Sequence, residues 1–189
     1  LAMYSRNDRM TFYNCKFRSY QDTWQTSSRN MADRHYVKDC WIEGAVDYFY
    51  GGGDVLLEGC TLYNVRSGSV IVAPCHKEGT KFGYVFSNCT IDGNELANDN
   101  KTALGRPWHN APKTVWLNTT MKIGIKPEGW NNMGAIPALF AEYNSMDADG
   151  NPVDLSNRRT EYEYTDGDTG QKVTGTCKAT LTDEEAAAY

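Results

Sequence analysis

A chain of 189 residues, 40% hydrophobic and 23% charged, is long enough for one domain and too apolar to stay disordered. Its net charge of −5 argues against the basic faces of nucleic-acid binders and gives no basic patch for a membrane surface. No apolar run approaches the roughly 18 residues of a membrane span, and the start at Leu1, with no charged-then-apolar signal segment, reads as a fragment or a processed product.

Taken in chain order, the strand-like segments share one local pattern. FYNCKF (12–17), YVKDCWI (36–42), DVLLEGCTLY (54–63), KFGYVFSNCTI (81–91) and KTVWLNTTM (113–121) are rich in β-branched and aromatic residues. Gly, Asn, Asp and Ser clusters separate them, without any long helical periodicity. Four of the five carry a cysteine at the same place, Cys15, Cys40, Cys60 and Cys89, with Thr119 standing in for it in the fifth. The gaps of 25, 20 and 29 residues between those cysteines are the period of a solenoid. The expected fold is therefore all-β, a parallel β-helix whose equivalent positions stack from coil to coil. A leucine-rich horseshoe lacks its spacing, and a β-sandwich would want hairpin turns of the Asn-Gly or Asp-Gly kind between alternating runs, which are not expected here.

Six cysteines are too sparse for a disulfide scaffold, so the stacked set reads as a reduced core ladder, although adjacent coils would also bring equivalent cysteines within bridging distance. His35, His76 and His109 lie far apart and read as structural, and no metal is expected. Cys75-His76 is an unpromising nucleophile–base pair, because neighbouring strand residues point to opposite faces. MDADGNPVD (146–154) has calcium-loop composition with the glycine misplaced and Arg158 where a glutamate belongs, so a plain turn is expected. Gly51-Gly52-Gly53 reads as a tight corner. The glycosylation patterns at Asn88 and Asn118 fall in the core repeats, so their asparagines are expected to stack inside. Thr182 and Glu185 form a capping-box pattern for a short C-terminal helix.

The segment GAVDYFYGGG (44–53) puts one carboxylate, Asp47, in an aromatic strand, where a lone buried charge costs several kcal/mol or more. Asp47 follows Cys40 by seven residues, and Asp22, in YQDTW, follows Cys15 by seven. The two acids should therefore sit side by side on consecutive coils, about 4.8 Å apart in strand spacing. Repulsion between such neighbours raises the pKa of one, leaving one carboxylate to attack and one acid to give a proton. Both could equally be turn residues facing water; the aromatic surroundings of Asp47 tip the reading toward a site.

Gln21-Asp22-Thr23, then Gly44-Ala45-Val46-Asp47-Tyr48-Phe49-Tyr50-Gly51, then Leu104-Gly105-Arg106-Pro107-Trp108, with Pro127-Glu128-Gly129-Trp130 further on, resemble in order the marker blocks of the pectin methylesterases, the pectinesterase family. The likeness covers roughly residues 1 to 160. It implies a right-handed parallel β-helix with an open cleft along one side, here lacking its N-terminal coils, so that residues 1–189 would be the C-terminal portion of a catalytic domain. It also implies a cofactor-free, monomeric, extracytoplasmic carboxylic ester hydrolase (secreted, periplasmic or cell-surface) that frees methanol from the galacturonate methyl esters of pectin. Carried over by position, Asp47 resembles the nucleophile, Asp22 the general acid and base, Gln21 an oxyanion donor, and Arg106 the residue holding the nucleophile ionised. Trp108, Tyr50 and Met133 match sugar-contacting positions. The family's second oxyanion glutamine would fall before Leu1, Trp24 replaces an aliphatic or phenylalanine, and the altered block YFYGGGD should add the Tyr48 and Tyr50 hydroxyls to the cleft wall. The rival readings are another β-helical pectin-active enzyme, a glycoside hydrolase or lyase, and a non-catalytic carbohydrate-binding solenoid.

Overall fold

The computed structural model describes residues 1–189. Its chain winds through three parallel sheets in turn, and each coil adds one strand to each of them, except that the last meets the first sheet only through the Gly105–Trp130 bridge. The first sheet holds Met3–Tyr4, Trp24–Gln25, Val46–Gly51, Val70–Pro74 and Ala103–Gly105. The second holds Met10–Tyr13, Arg34–Lys38, Asp54–Glu58, Tyr84–Ser87, Lys113–Leu117 and Leu139–Tyr143. The third holds Lys16–Arg18, Trp41–Gly44, Thr61–Asn64, Thr90–Gly93, Thr120–Met121 and Met146–Asp147. This is the parallel β-helix that the repeat predicts.

The cysteine repeat is the corner between the second and third sheets. Asn14, Asp39, Gly59, Asn88, Asn118 and Asn144 each take a positive φ between 50° and 62° there. One left-handed residue turns the chain sharply, and Gly, Asn and Asp bear that conformation best. Two readings change as a result. Asn88 and Asn118 lie on the outside of the corners, exposed, because the left-handed residue points away from the core. A sixth corner, Asn144-Ser145, escapes the sequence pattern because serine replaces cysteine.

The residue after each corner points inward. Cys40, Cys60 and Cys89 are buried, free thiols whose Sγ atoms approach strand carbonyls, as Cys60 does to Val37 at 3.4 Å. Between these corners the core is an aromatic stack. Trp24 meets Phe49 at 5.5 Å, Phe49 meets Phe86 at 5.9 Å, and Phe86 lies flat on Trp116 at 3.8 Å between centroids. At the last coil that ladder position passes to Glu142, fully buried and neutralised by Arg158 at 2.6 Å.

The triple glycine is a tight corner. A Cβ on Gly51 would lie 2.6 Å from the Ser27 carbonyl oxygen, and one on Gly53 2.4 Å from that of Asp33, with φ at 113° and 85°. The 146–154 segment is a plain turn in which the Asp147 carboxylate accepts the Asp149 and Asn151 N–H groups at 2.9 and 2.8 Å. The expected C-terminal helix is a single turn, Asp183–Ala186, with its capping box formed between Thr182 and Glu185. One element goes against expectation: Glu161–Thr165 and Lys172–Thr176 form an antiparallel hairpin. Its six-residue connection contains Asp166-Gly167, but the turn is organised by the Asp166 carboxylate accepting from Thr169 rather than by a two-residue loop.

Candidate active site

The first sheet builds the site. Gln21 bridges Val46, Trp24 pairs with Phe49, and Gln25 pairs with Tyr50, a constant offset of 25 residues. Asp22 therefore lies directly opposite Asp47, and its N–H donates to the Val46 carbonyl at 3.0 Å. Both aspartates are left-handed, at φ 55° and 49°.

That shared kink becomes visible against the next coil. Val70 pairs with Val46 but Val72 pairs with Phe49, so Asp47 and Tyr48 together oppose Ile71. The extra residue is a β-bulge, which re-aims side chains. Asp47 turns outward, Tyr48 and Phe49 both turn into the core, and Tyr50 comes out again. Tyr48 is thus not part of the cleft wall; it is fully buried, with its hydroxyl donating to Asn64 Oδ1 at 3.3 Å.

Arg106 reaches Asp47 from two coils further along. Its N–H donates to the Val72 carbonyl at 3.0 Å. The preceding Gly105 lies so close to the previous coil that a Cβ there would meet Val72 Cγ2 at 2.3 Å. The guanidinium then grips the carboxylate with both arms, Nε to Oδ1 at 2.8 Å and Nη2 to Oδ2 at 2.6 Å. Two parallel charge-assisted bonds match the planar fork to the carboxylate. Pro107 leads to Trp108, whose N–H donates to the Pro74 carbonyl at 3.0 Å and whose ring meets Tyr50 edge-on at 5.8 Å. Met133 is brought alongside because Asn131 and Gly134 donate to the carbonyls of Gly105 and Pro107, at 3.0 and 2.9 Å.

These contacts gather the four candidates Gln21, Asp22, Asp47 and Arg106 in one open groove of about 400 Å³. Tyr50, Trp108 and Met133 line the same groove. Sequence reasoning missed two further lining residues, Ala73 and Gln25. Gln25 accepts the Tyr50 hydroxyl on its Oε1 at 3.1 Å, and the 25-residue offset from Tyr50 was the signal that could have found it.

The electrostatics divide the two acids. Asp47 is buried and clamped by Arg106, and the pairing also raises the pKa of the guanidinium. Asp22 is only half-buried and has no hydrogen-bonded cation. Its burial, and then the charge of Asp47, push its pKa up from the ordinary aspartate value. A carboxylate gripped by a guanidinium beside a carboxyl whose pKa is raised is an arrangement suited to nucleophilic and general acid–base work.

The histidines stand outside it. His76 is fully buried, accepts the Lys113 N–H on Nδ1 at 2.9 Å, and is pushed down to a pKa of about 3 by burial. Cys75 beside it is driven up to about 12 by burial. No three His, Cys, Asp or Glu side chains gather in a way that could hold a metal. A larger hollow of about 600 Å³ lies between the hairpin and Asn132, but it holds none of the candidate residues and no acid–base pair of this kind.

Comparison with known proteins agrees with this architecture. The family model described as Pectinesterase matches residues 1–175. Probable pectinesterase A of Neosartorya fischeri is 33% identical over 166 residues, 86% of this chain and 48% of that protein. Pectinesterase 31 of Arabidopsis thaliana is 36% identical over 140 residues, 72% and 42% of the two chains. The crystal structure of the Aspergillus niger pectin methylesterase in deglycosylated form superposes with a TM-score of 0.72 at 30% identity, covering 82% of this chain and 50% of that one. The chain spans about half the length of these curated relatives. With three parallel sheets, the ordered blocks and the family match in agreement, the chain belongs to the pectinesterase family.

Proposed function

We propose that the groove is the catalytic centre of a carboxylic ester hydrolase that removes methyl esters from galacturonate units of pectin and releases methanol. The observation that carries this reading is the two-armed Arg106–Asp47 pair set beside Asp22, whose pKa is raised. Asp47 attacks the ester carbonyl carbon. The resulting oxyanion takes a hydrogen bond from the Gln21 amide, a contact worth about 2.7–4 kcal/mol in other enzymes. Protonated Asp22 gives its proton to the departing methoxide, so methanol leaves and an acyl-enzyme remains. Asp22, now a carboxylate, takes a proton from water; that water attacks the acyl carbon, freeing the galacturonate carboxylate and Asp47. Trp108 and Tyr50 offer apolar ring faces to the sugar, and Met133 closes the groove beside them. Pectin is a cell-wall polymer, so the proposed site of action is outside the cytoplasm.

The test is methanol release from highly methylated pectin, by this chain and by a form extended at its N-terminus, each with and without Asp47→Ala. Methanol that depends on Asp47, without new reducing or unsaturated ends, is the expected result. Paired carboxylates about 5–5.5 Å apart also suit a retaining glycosidase, so new reducing ends would overturn the esterase reading. Turnover retained by Asp47→Ala would remove Asp47 from its role.

A further inference from the structure

Glu142 and Arg158 form an ion pair that no step of the proposed reaction uses, with side chains 0% and 3% exposed. The guanidinium does more than neutralise the acid. Its Nε and Nη2 donate to the Glu142 carboxylate at 2.6 and 3.4 Å, while Nη1 donates to the carbonyl oxygens of Lys126 and Pro127 at 3.1 and 3.0 Å. The Ser145 hydroxyl holds the carboxylate from another direction, at 2.8 Å. Gly129 makes room for this crossing, since a Cβ there would lie 2.7 Å from Arg158 Cδ. Arg159 continues the grip, its N–H donating to the Glu128 carbonyl at 2.9 Å and its Nε to that of Trp130 at 3.0 Å. Two consecutive arginines thus take the carbonyls of Lys126, Pro127, Glu128 and Trp130.

What they hold is the border of the site. Ala103–Gly105 is the last strand of the first sheet, and Arg106 follows it directly. An edge strand needs other partners for its outer N–H and C=O groups. Here the 126–131 segment supplies them. The Leu104 N–H donates to the Gly129 carbonyl at 2.7 Å, and the Gly105 carbonyl accepts the Asn131 N–H at 3.0 Å. That segment is a turn closed by Gly129 N–H on the Lys126 carbonyl at 2.8 Å, and no further strand of the sheet lies behind it to fix it. The arginines take the place of that strand.

Granted the proposed function, we propose that Arg158, with Arg159 beside it, is a positioning residue for Arg106. By fixing the turn at 126–130 it fixes the Leu104-Gly105 edge, and with it the origin of the side chain that grips Asp47. Glu142 serves as the buried anchor that aims the guanidinium at the turn. A purely neutralising role for Arg158 predicts something else, that any cation beside Glu142 suffices.

Lysine separates the two. Arg158→Lys keeps a charge beside Glu142, but one compact ammonium lacks the rigid fork that spans both the carboxylate and the turn. The first readout is the coupling between Asp47 and Arg106, from a double-mutant cycle in urea unfolding, in the wild type and in the Arg158→Lys background. It should fall to about half or less. The second is amide hydrogen exchange, which should quicken about tenfold in peptides covering 103–108 and 126–134 and stay unchanged in 84–87. Asn118→Ala, a destabilised corner away from the turn, should leave the coupling as it is. Methanol release by Arg158→Lys should drop about three- to tenfold in kcat, as a misplaced arginine would cause. The coupling and exchange readouts need no turnover, so they decide the proposal even if no methanol is released. An unchanged coupling in Arg158→Lys, an equal fall in Asn118→Ala, or a wild-type coupling already near zero would overturn it. If Arg158→Lys does not fold, Arg159→Gln, on the more exposed side of the same turn, decides by the same two readouts.

Discussion

Removing one partner of the Arg106–Asp47 pair should cost more than a surface ion pair is worth, and a double-mutant cycle can measure by how much. The Asp47 side chain is 9% exposed and that of Arg106 29% exposed. Breaking a fully buried pair costs about 3–5 kcal/mol, whereas an exposed pair contributes about 0.2–1 kcal/mol. Arg106→Gln strands a buried carboxylate that has lost two short bonds, so about 2–3 kcal/mol is expected, below the fully buried figure because the arginine end is wet. Asp47→Asn strands a guanidinium that can turn toward water and should cost only about 1 kcal/mol. In the double variant two amides face one another with no charge left over, and the loss should again be about 1 kcal/mol. The coupling energy is then about 2–3 kcal/mol. Urea unfolding of the four proteins, followed by tryptophan fluorescence at constant pH and salt, gives this number directly. A coupling below about 0.5 kcal/mol would mean a solvent-screened pair, and the argument that Arg106 holds a charged nucleophile in a dry clamp would fail.

Asp22 makes a prediction of opposite sign. Its folded pKa is raised above the unfolded value near 3.8, so its stabilising contribution is full below that value and is lost as pH rises through the folded pKa. Asp22→Asn should therefore gain stability relative to the wild type on going from pH 3 to pH 7 while losing activity; a melting-temperature difference that does not move with pH would contradict the shift. Gly105→Ala places a Cβ 2.3 Å from Val72 Cγ2 and 2.8 Å from the Val72 carbonyl oxygen, and should cost about 1–3 kcal/mol in thermal unfolding while displacing Arg106. At the Asn118 corner, φ 51°, Asn118→Ala should lose about 1–2 kcal/mol and Asn118→Gly much less, and equal losses would show that the corner is not what asparagine is there for.

Most of the site was legible because no insertion falls between Cys15 and Asp22 or between Cys40 and Asp47. With equal offsets, a register read from the cysteines carries over to the acids, and the observed 25-residue pairing follows. What the sequence could not convey was local geometry. Strict alternation puts Asp47 and Tyr50, three apart, on opposite faces. The bulge puts them on the same face by sending both Tyr48 and Phe49 into the core, and Gln25, which pairs with Tyr50, lines the cleft beside it. The hairpin at 161–176 stayed hidden although its connection contains Asp166-Gly167, because six residues rather than two separate the strands and the Asp166 carboxylate closes the turn on Thr169.

The aspartates thus do two jobs that are separable by experiment. A left-handed non-glycine residue carries a backbone cost that structures keep mainly where the surroundings fix it, often at functional sites. Aspartate and asparagine bear that conformation better than alanine does. The same residue type therefore holds the kink, exposes its carboxylate to the groove, and sends its two successors into the core, as Thr23 and Trp24 follow Asp22 and Tyr48 and Phe49 follow Asp47. Alanine at position 47 removes charge and kink propensity together, while asparagine removes the charge alone. If both substitutions abolish turnover but only alanine also lowers stability beyond the lost ion pair, chemistry and conformation have been separated at one residue. If asparagine destabilises as much as alanine, the left-handed turn is held by its neighbours, Gln21 on Val46 and Phe49 on Trp24, and the aspartate is there for its charge.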